Sequence, residues 1–369
     1  WLNIVSLLSD GSPILIVHNE KQNWQREIDD VGLRARFPNL REVLAANLAD
    51  NRGLAEIARH VKRHLESLPH IGDELPATWQ RVREALEGEM RDYISIEVFF
   101  AFCEAHGFTR HEDKLLLSGY LHDLGICLHF QDDLVLKRWV ILRPAWGTDA
   151  VYRILDADTV KHNRGRFSRS EAVAIWSEPQ YANMHDELLS LMMRFRLCYP
   201  LEGTDKYIAP QLLSPKRPVY PWDPSRSITL KYEYEFMPKG IVTRLIVALH
   251  HLIEHQEIVW RTGAVFTRDG MRCQVTEDLP RREITVQALG DRPRELQAIV
   301  DHELDKIHRS FQQLKFQTLV PCGCQTCIMA PMPHFYSYEM LRRFLRDGRS
   351  IQCAMSYDMV DVRQLLERV

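Results

Sequence analysis

The sequence predicts a mixed fold: a partial α/β sheet at the N-terminus, an α+β region holding two helix-then-wing units, and a C-terminal antiparallel α+β layer. Three observations carry this. The run Ile14-Leu15-Ile16-Val17 has the unbroken apolarity of a strand covered on both faces, as in a parallel sheet. Leu117, Tyr120, Leu121, Leu124, Ile126 and Cys127 recur 71 positions on as Leu188, Leu191, Met192, Phe195, Leu197 and Cys198. Ile228, Leu230, Tyr232, Tyr234 and Phe236 alternate with Thr229, Lys231, Glu233 and Glu235, the pattern of a strand with one wet face.

Residues 1 to 75 read as helix, strand, helix, strand, helix. Leu2, Val5 and Leu8 precede an Asp10-Gly11 stop, and the Ile14 strand follows. A polar helix from about Trp24 ends near Pro38, a second strand spans about Glu42 to Leu48, and Gly53 to Leu68 forms the last helix. This half-sheet is expected to begin mid-fold. Ligands of doubly wound sheets bind at the carboxyl ends of strands, which places His18-Asn19-Glu20-Lys21-Gln22 in a ligand-facing loop. A solvated turn is the plainer reading of the same residues.

Prolines and glycines cluster at Leu68-Pro69-His70-Ile71-Gly72 and Leu75-Pro76, marking a boundary. A helix from Thr78 to Arg91 follows. Ser95 then caps a helix with Ile96, Phe99, Phe100 and Cys103 on one face. In each copy of the repeat, the first four positions have helical i, i+3, i+4, i+7 spacing and the rest alternate, so each reads as a helix feeding a β-hairpin. The hairpins turn at Gln131-Asp132-Asp133 and Glu202-Gly203-Thr204-Asp205, and the shared frame is expected to run ungapped to Pro144 and Pro215. Helices are expected over Trp146 to Asp156 and Ser168 to Trp176, with Arg164, Arg166 and Arg169 as a small basic cluster.

A second composition break falls at Pro215 to Pro221. Beyond the Ile228 strand, Pro238 opens a helix whose face is Val242, Leu245, Ile246, Leu249 and Ile253. Strands are expected at about 258–266, 271–276 and 283–289, with Arg268-Asp269-Gly270 as a hairpin turn. A helix from Pro293 and a strand at about 314–320 complete the layer. Its open edges invite pairing with another chain or burial within the same one.

At 369 residues the chain has room for two or three domains, and its net charge of -3 supplies no basic field for nucleic acid. No apolar run approaches the ~20 residues of a membrane span, and Trp1-Leu2-Asn3-Ile4 lacks the marks of a signal peptide. A cytoplasmic protein is expected. Cys103, Cys127, Cys198 and Cys273 sit singly in apolar patterns and read as small core residues.

The strongest local chemistry is Cys322-Gly323-Cys324-Gln325-Thr326-Cys327 with the later Cys353, a set of four thiols that would suit a structural zinc. His334 competes for the fourth position, and reduced thiols folding a loop without metal is the alternative. His302-Glu303 followed by His308 is not a zinc-protease motif, because the i+4 position is Lys306. No catalytic residue is assigned.

His18 to Gln22, the linker through Leu75-Pro76-Ala77-Thr78-Trp79, and above all Tyr120-Leu121-His122-Asp123-Leu124-Gly125-Ile126 through Val140-Ile141-Leu142-Arg143-Pro144-Ala145-Trp146 resemble the Roco family. Its members join a Ras-like Roc GTPase domain to a COR domain (C-terminal of Roc). The resemblance covers nearly the whole chain. It implies that residues 1–75 are the C-terminal half of a Ras-like Roc domain. Residues 76–218 would be a COR N-terminal subdomain with duplicated winged-helix-like units, and 219–369 a COR C-terminal subdomain that homodimerises. The implied function is a scaffold coupling the nucleotide state of Roc, held in cis, to homodimerisation and intracellular signalling, with GTP or GDP bound in the full-length parent.

Asn19 matches the Asn of the guanine-reading Asn-Lys-x-Asp motif, whereas Glu20 and Gln22 replace its Lys and Asp. Ala45-Ala46-Asn47 falls where a second base-contacting loop would lie. The phosphate loop and switch segments have no counterpart among these residues, so GTP hydrolysis by this segment alone is not expected. The competing class is a zinc-stabilised winged-helix nucleic-acid binder acting through Arg164, Arg166 and Arg169; a third is the regulatory half of another switch ATPase.

Overall fold

The computed structural model describes residues 12–20, 28–67, 76–224, 227–311, 314–330 and 332–367, together with Leu2 and Val5. Leu8, Asp10, Gly11, Lys21, Gln22, Trp24 and the 68–75 linker lie outside the described residues. The chain divides into two compact units: residues 1–75 with 308–315, and residues 76–307 with 316–369.

In the first unit, β1 (Ile14–Asn19) and β2 (Leu40–Ala46) run parallel, with Asn19 opposite Ala46. A short helix, Asp30–Arg36, joins them and is capped by Asp29, whose carboxylate accepts from the Gly32 N–H. The helix Leu54–Glu66 follows β2 after Gly53, which adopts φ +81° and whose absent Cβ would otherwise lie 2.7 Å from the Ala45 carbonyl. A side chain there is excluded twice, by conformation and by contact. The buried cluster is small: Ile14, Phe37 and Leu40.

The first half of the second unit repeats one order twice. In the first copy, β3 (Tyr93–Ser95) leads into helices Ile96–Ala105 and His111–Asp123, then Leu128 bridges to β4 (Trp139–Ile141). In the second, β5 (Arg166–Ser168) leads into helices Arg169–Ile175 and His185–Arg194, then β6 (Tyr199–Pro200) and β7 (Lys206–Ile208) pair. Ser95 caps as expected, and Ser168, expected inside its helix, is instead the cap of it, in a reciprocal capping box with Glu171.

The ungapped frame does not hold through the wings. Leu128 and Tyr199 correspond at the 71-residue offset, but their strand partners are Ile141 and Ile208. The first loop is four residues longer and folds the excess into a 3-10 turn, Leu136–Arg138, started by Asp133 accepting from the Val135 and Leu136 N–H groups. The fourth matched pair also misses the core: Leu124 and Phe195 are each helix C-caps, 52% and 48% exposed, while Leu117, Leu121, Leu188, Leu191 and Met192 are buried.

The helices of the first copy have a core of their own around Phe99, Cys103, Leu117 and Leu121, but the segment after them enters the core of the second copy. Phe130, Leu136 and Ile141 of the first pack with Trp146, Trp176, Leu188, Met192 and Cys198 in a single cluster. Arg194 clamps the loop between Leu128 and β4, donating to Asp132 at 2.8 Å and lying over the Phe130 ring.

The second half is a seven-stranded antiparallel sheet in the order β14-β13-β8-β12-β11-β10-β9. Its strands are β8 (Ile228–Tyr234), β9 (Val259–Trp260), β10 (Gly263–Arg268), β11 (Met271–Asp278), β12 (Glu283–Leu289), β13 (Phe316–Pro321) and β14 (Phe335–Ser337). A small hairpin, β15 (Ile351–Gln352) with β16 (Met359–Val360), stands apart from it. Both edges of the large sheet are strands of only two or three residues, which offer little to an incoming strand.

The expected strand over 258–266 is two strands, because Gly263 folds back against Trp260, whose ring would meet a Gly263 Cβ at 2.3 Å. The helix expected from Pro238 starts at Ile241, since Gly240 stands in the left-handed region at its cap. Val242, Leu245 and Ile246 from that helix, and Leu296, Val300 and Leu304 from the helix Pro293–Arg309, are fully buried. The proline-rich segment before β8 is an ordered strap: Tyr220 donates to the buried Gln274 Oε1 at 2.7 Å, and Arg217 donates to the same oxygen.

Candidate metal centre

The sequence places three cysteines where β13 ends and a fourth where the β15–β16 hairpin begins. The Cys322 N–H donates to the His334 carbonyl at 2.7 Å, extending the β13–β14 pairing by one residue. Cys324 caps the short helix Gln325–Met329, its Sγ accepting from the Cys327 N–H. Cys353 opens a tight turn closed by its carbonyl accepting from the Tyr357 N–H at 2.9 Å.

These turns aim all four Sγ atoms inward, within 4.8 Å of one another. Cys353 Sγ lies 3.5 Å from Cys324 Sγ and 3.6 Å from Cys327 Sγ. Such spacings are far beyond a disulfide bond of about 2.05 Å. Four sulfurs at about 2.3 Å from a central zinc stand about 3.8 Å apart, so the donor set fits a tetrahedral soft or borderline ion. The four side chains are buried.

The surrounding donors favour thiolate. Cys353 Sγ accepts from the Met355 and Ser356 N–H groups at 3.3 and 3.5 Å, and Cys324 Sγ from the Ser356 hydroxyl at 3.4 Å. Cys322 Sγ accepts from the Tyr336 hydroxyl, and Cys327 Sγ from the His334 N–H. Burial alone would raise the Cys353 thiol, but the Ser356 and Met355 donors outweigh it and hold it down at about 5. The Ser356 hydroxyl likewise lowers Cys324, while burial pushes Cys322 up and Cys327 up to about 12. A divalent cation held by these four side chains would remove this asymmetry by taking all of them as thiolates. His334 contributes its backbone N–H rather than its imidazole, so the fourth donor beside the three clustered thiols is Cys353.

Asn19 stands at the carboxyl end of β1. Its Oδ1 accepts from the Leu48 N–H at 3.1 Å, tying this strand end to the turn after β2. Glu20, in place of the motif Lys, is buried and pairs with Arg52 at 3.1 Å. Asn47 turns on itself, accepting from the Ala49 N–H at 3.0 Å. In the basic cluster, Arg169 is paired with Asp186 at 2.8 Å, which weakens the case for a phosphate-binding patch. No helix among the described residues is long and apolar enough to cross a membrane. A grouping that sequence reading missed is Glu42 with His60 and His64, whose ligand atoms lie within 4.8 Å. Its signal was present in the i, i+4 histidines of one helix.

Fold and motifs together define a COR protein. Residues 76–213 match the family described as "C-terminal of Roc, COR-A domain" and residues 225–368 match "C-terminal of Roc, COR-B domain". The chain belongs to the Roco family. It is 26% identical over 305 residues to a "Roc-COR-CHAT protease" of Runella zeae, covering 78% of this chain and 32% of that protein. It is 22% identical over 371 residues to the "Probable serine/threonine-protein kinase pats1" of Dictyostelium discoideum, covering 92% of this chain and 12% of that one. The chain thus spans a third or less of these relatives. Among solved structures, the GDP-bound Roco2 RocCORdC of Methanosarcina barkeri is similar at 24% identity and a TM-score of 0.49, over 58% of this chain and 68% of that one.

Proposed function

We propose that this chain is the COR scaffold of a Roco protein, coupling the nucleotide state of a Roc domain in cis to homodimerisation in intracellular signalling. The observation that carries this reading is the sequence of parts: a β1–β2 unit ending in Asn19, then COR-A and COR-B matches across residues 76–368. Within it, the two repeated units act as winged-helix-like modules joined where the loop of the first enters the core of the second, a bridge stiff enough to pass on motion. The 219–369 part forms the dimer. Because both edges of the large sheet are short, self-association would use a face or the cysteine-bearing turns rather than strand addition.

Nucleotide binding belongs to the full-length parent, with Asn19 as the guanine-contacting residue contributed here. Cys322, Cys324, Cys327 and Cys353 hold a structural zinc that ties the β13–β14 end to the β15–β16 hairpin. Light scattering on the full chain after size exclusion tests the scaffold reading: a dimer at tens of micromolar is expected, and a strict monomer counts against it. Elemental analysis of the purified protein should find zinc, with one equivalent lost in Cys353→Ser.

A further inference from the structure

A second group of ligand-bearing side chains stands in the first unit. Glu42 projects from β2, and His60 and His64 are one turn apart on the helix Leu54–Glu66. That spacing lets two imidazoles reach one ion. Glu42 Oε1 lies 3.2 Å from His60 Nδ1 and 3.3 Å from His64 Nε2. The His64 contact is a hydrogen bond, whereas His60 Nδ1 is buried and aligned with no partner. The opposite ring nitrogen, Nε2, faces Glu56 Oε1 at 3.9 Å.

We propose that Glu42, His60 and His64 form a second metal site, taking a borderline divalent transition ion such as zinc or cobalt. The two-histidine, one-carboxylate set suits such ions and leaves a fourth position for water. A carboxylate ion-paired with two histidines accounts for the Glu42 contacts, but it leaves the His60 Nδ1 unsatisfied; an ion among the three ligand atoms satisfies it. Glu56 Oε1, 3.9 Å from Nε2, stands beyond hydrogen-bond reach but near enough to close on the ring as the outer carboxylate that metal-bound histidines commonly have. The side chains of His60, His64 and Glu42 are 13%, 18% and 25% exposed, shielded enough to strengthen an ion's attraction and open enough to admit it.

The test is zinc titration of the metal-free full chain by calorimetry, with thiols kept reduced. One equivalent should survive Cys353→Ser and be lost, or weakened at least about tenfold, in Glu42→Gln, His60→Ala and His64→Ala. Glu56→Gln should weaken it by about tenfold with stoichiometry unchanged. An equivalent that the histidine variants leave untouched overturns the proposal, as does finding none in Cys353→Ser. Because a replaced side chain could loosen the unit, the unaltered chain supplies a second readout. With its thiols presaturated with zinc, added Co2+ should give weak ligand-field bands without thiolate-to-metal absorption. No cobalt spectrum, or one carrying thiolate bands, also overturns it.

Discussion

The N-terminal unit and the COR region are built from similar elements but bury them very differently. In the first unit no residue of the helix Leu54–Glu66 is fully buried, and Leu54, Val61 and Leu65 stay exposed on a two-stranded parallel sheet. Parallel sheets are ordinarily covered on both faces. In the COR region, Trp176, Leu188 and Met192 or Leu245, Leu296 and Val300 vanish entirely into continuous cores. The difference teaches that stability resides in the COR domains, while the N-terminal unit leaves apolar surface of its helix and sheet uncovered.

Substitution should expose that asymmetry. Trp176 is fully buried and donates to the Ala150 carbonyl at 2.8 Å, so Trp176→Ala should cost about 3 to 5 kcal/mol in denaturant unfolding. Phe37→Ala, in the three-residue cluster of the first unit, should cost no more than ~2 kcal/mol. Equal losses would erase the distinction. Cys353→Ser should cost about 2 to 3 kcal/mol and raise hydrogen exchange across 322–330 and 351–360, leaving the β10–β12 amides protected. Uniform loss of protection would place the cysteine turns inside the main cooperative unit.

Acid should strengthen the C-terminal sheet. Burial raises the carboxyl of Asp301, despite the hydrogen bond from the Tyr232 hydroxyl, and that of Glu277, each to about 7 from 3.8 and 4.5. A folded-state value above the unfolded one means that the contribution is complete below about pH 4 and is lost as pH rises through about 7. Unfolding free energy should therefore fall across this window by several kcal/mol, and the melting temperature with it. Asp301→Asn should flatten the fall, and an unchanged profile would show that other groups govern it.

Legibility in the sequence followed the strength of local pattern. The 283–289 strand and the start of the Pro293 helix were readable because alternation and helical spacing persist over many residues. The four thiols were readable because three lie within six residues and free thiols are few in number. The break at Gly263 was not, since it depends on the Trp260 ring folding onto a glycine across a hairpin. The four-residue mismatch between wings was hidden because both loops are polar, and polarity does not count residues. Glu42, His60 and His64 went unread because the carboxylate arrives from a strand 18 residues upstream of the first histidine, and only packing joins them.

The smallest expected effect tests whether the two repeated units move as one. Arg194 is one of the polar links from the second copy to the loop of the first, beside Ser190 to Asp133 and Trp139 to Glu187; it is bonded to Asp132 and lies 4.6 Å above the Phe130 ring. Asp132 is largely exposed, so the ion pair itself contributes little; the cation over the ring adds to it, and Arg194→Ala should cost only about 0.5 to 1 kcal/mol. The shared cluster around Trp146 and Met192 is untouched by that change, so the copies should still unfold in a single transition. Two separated transitions in the variant would mean that the arginine clamp, and not the packing of Phe130, Leu136 and Ile141 into the second core, joins the units.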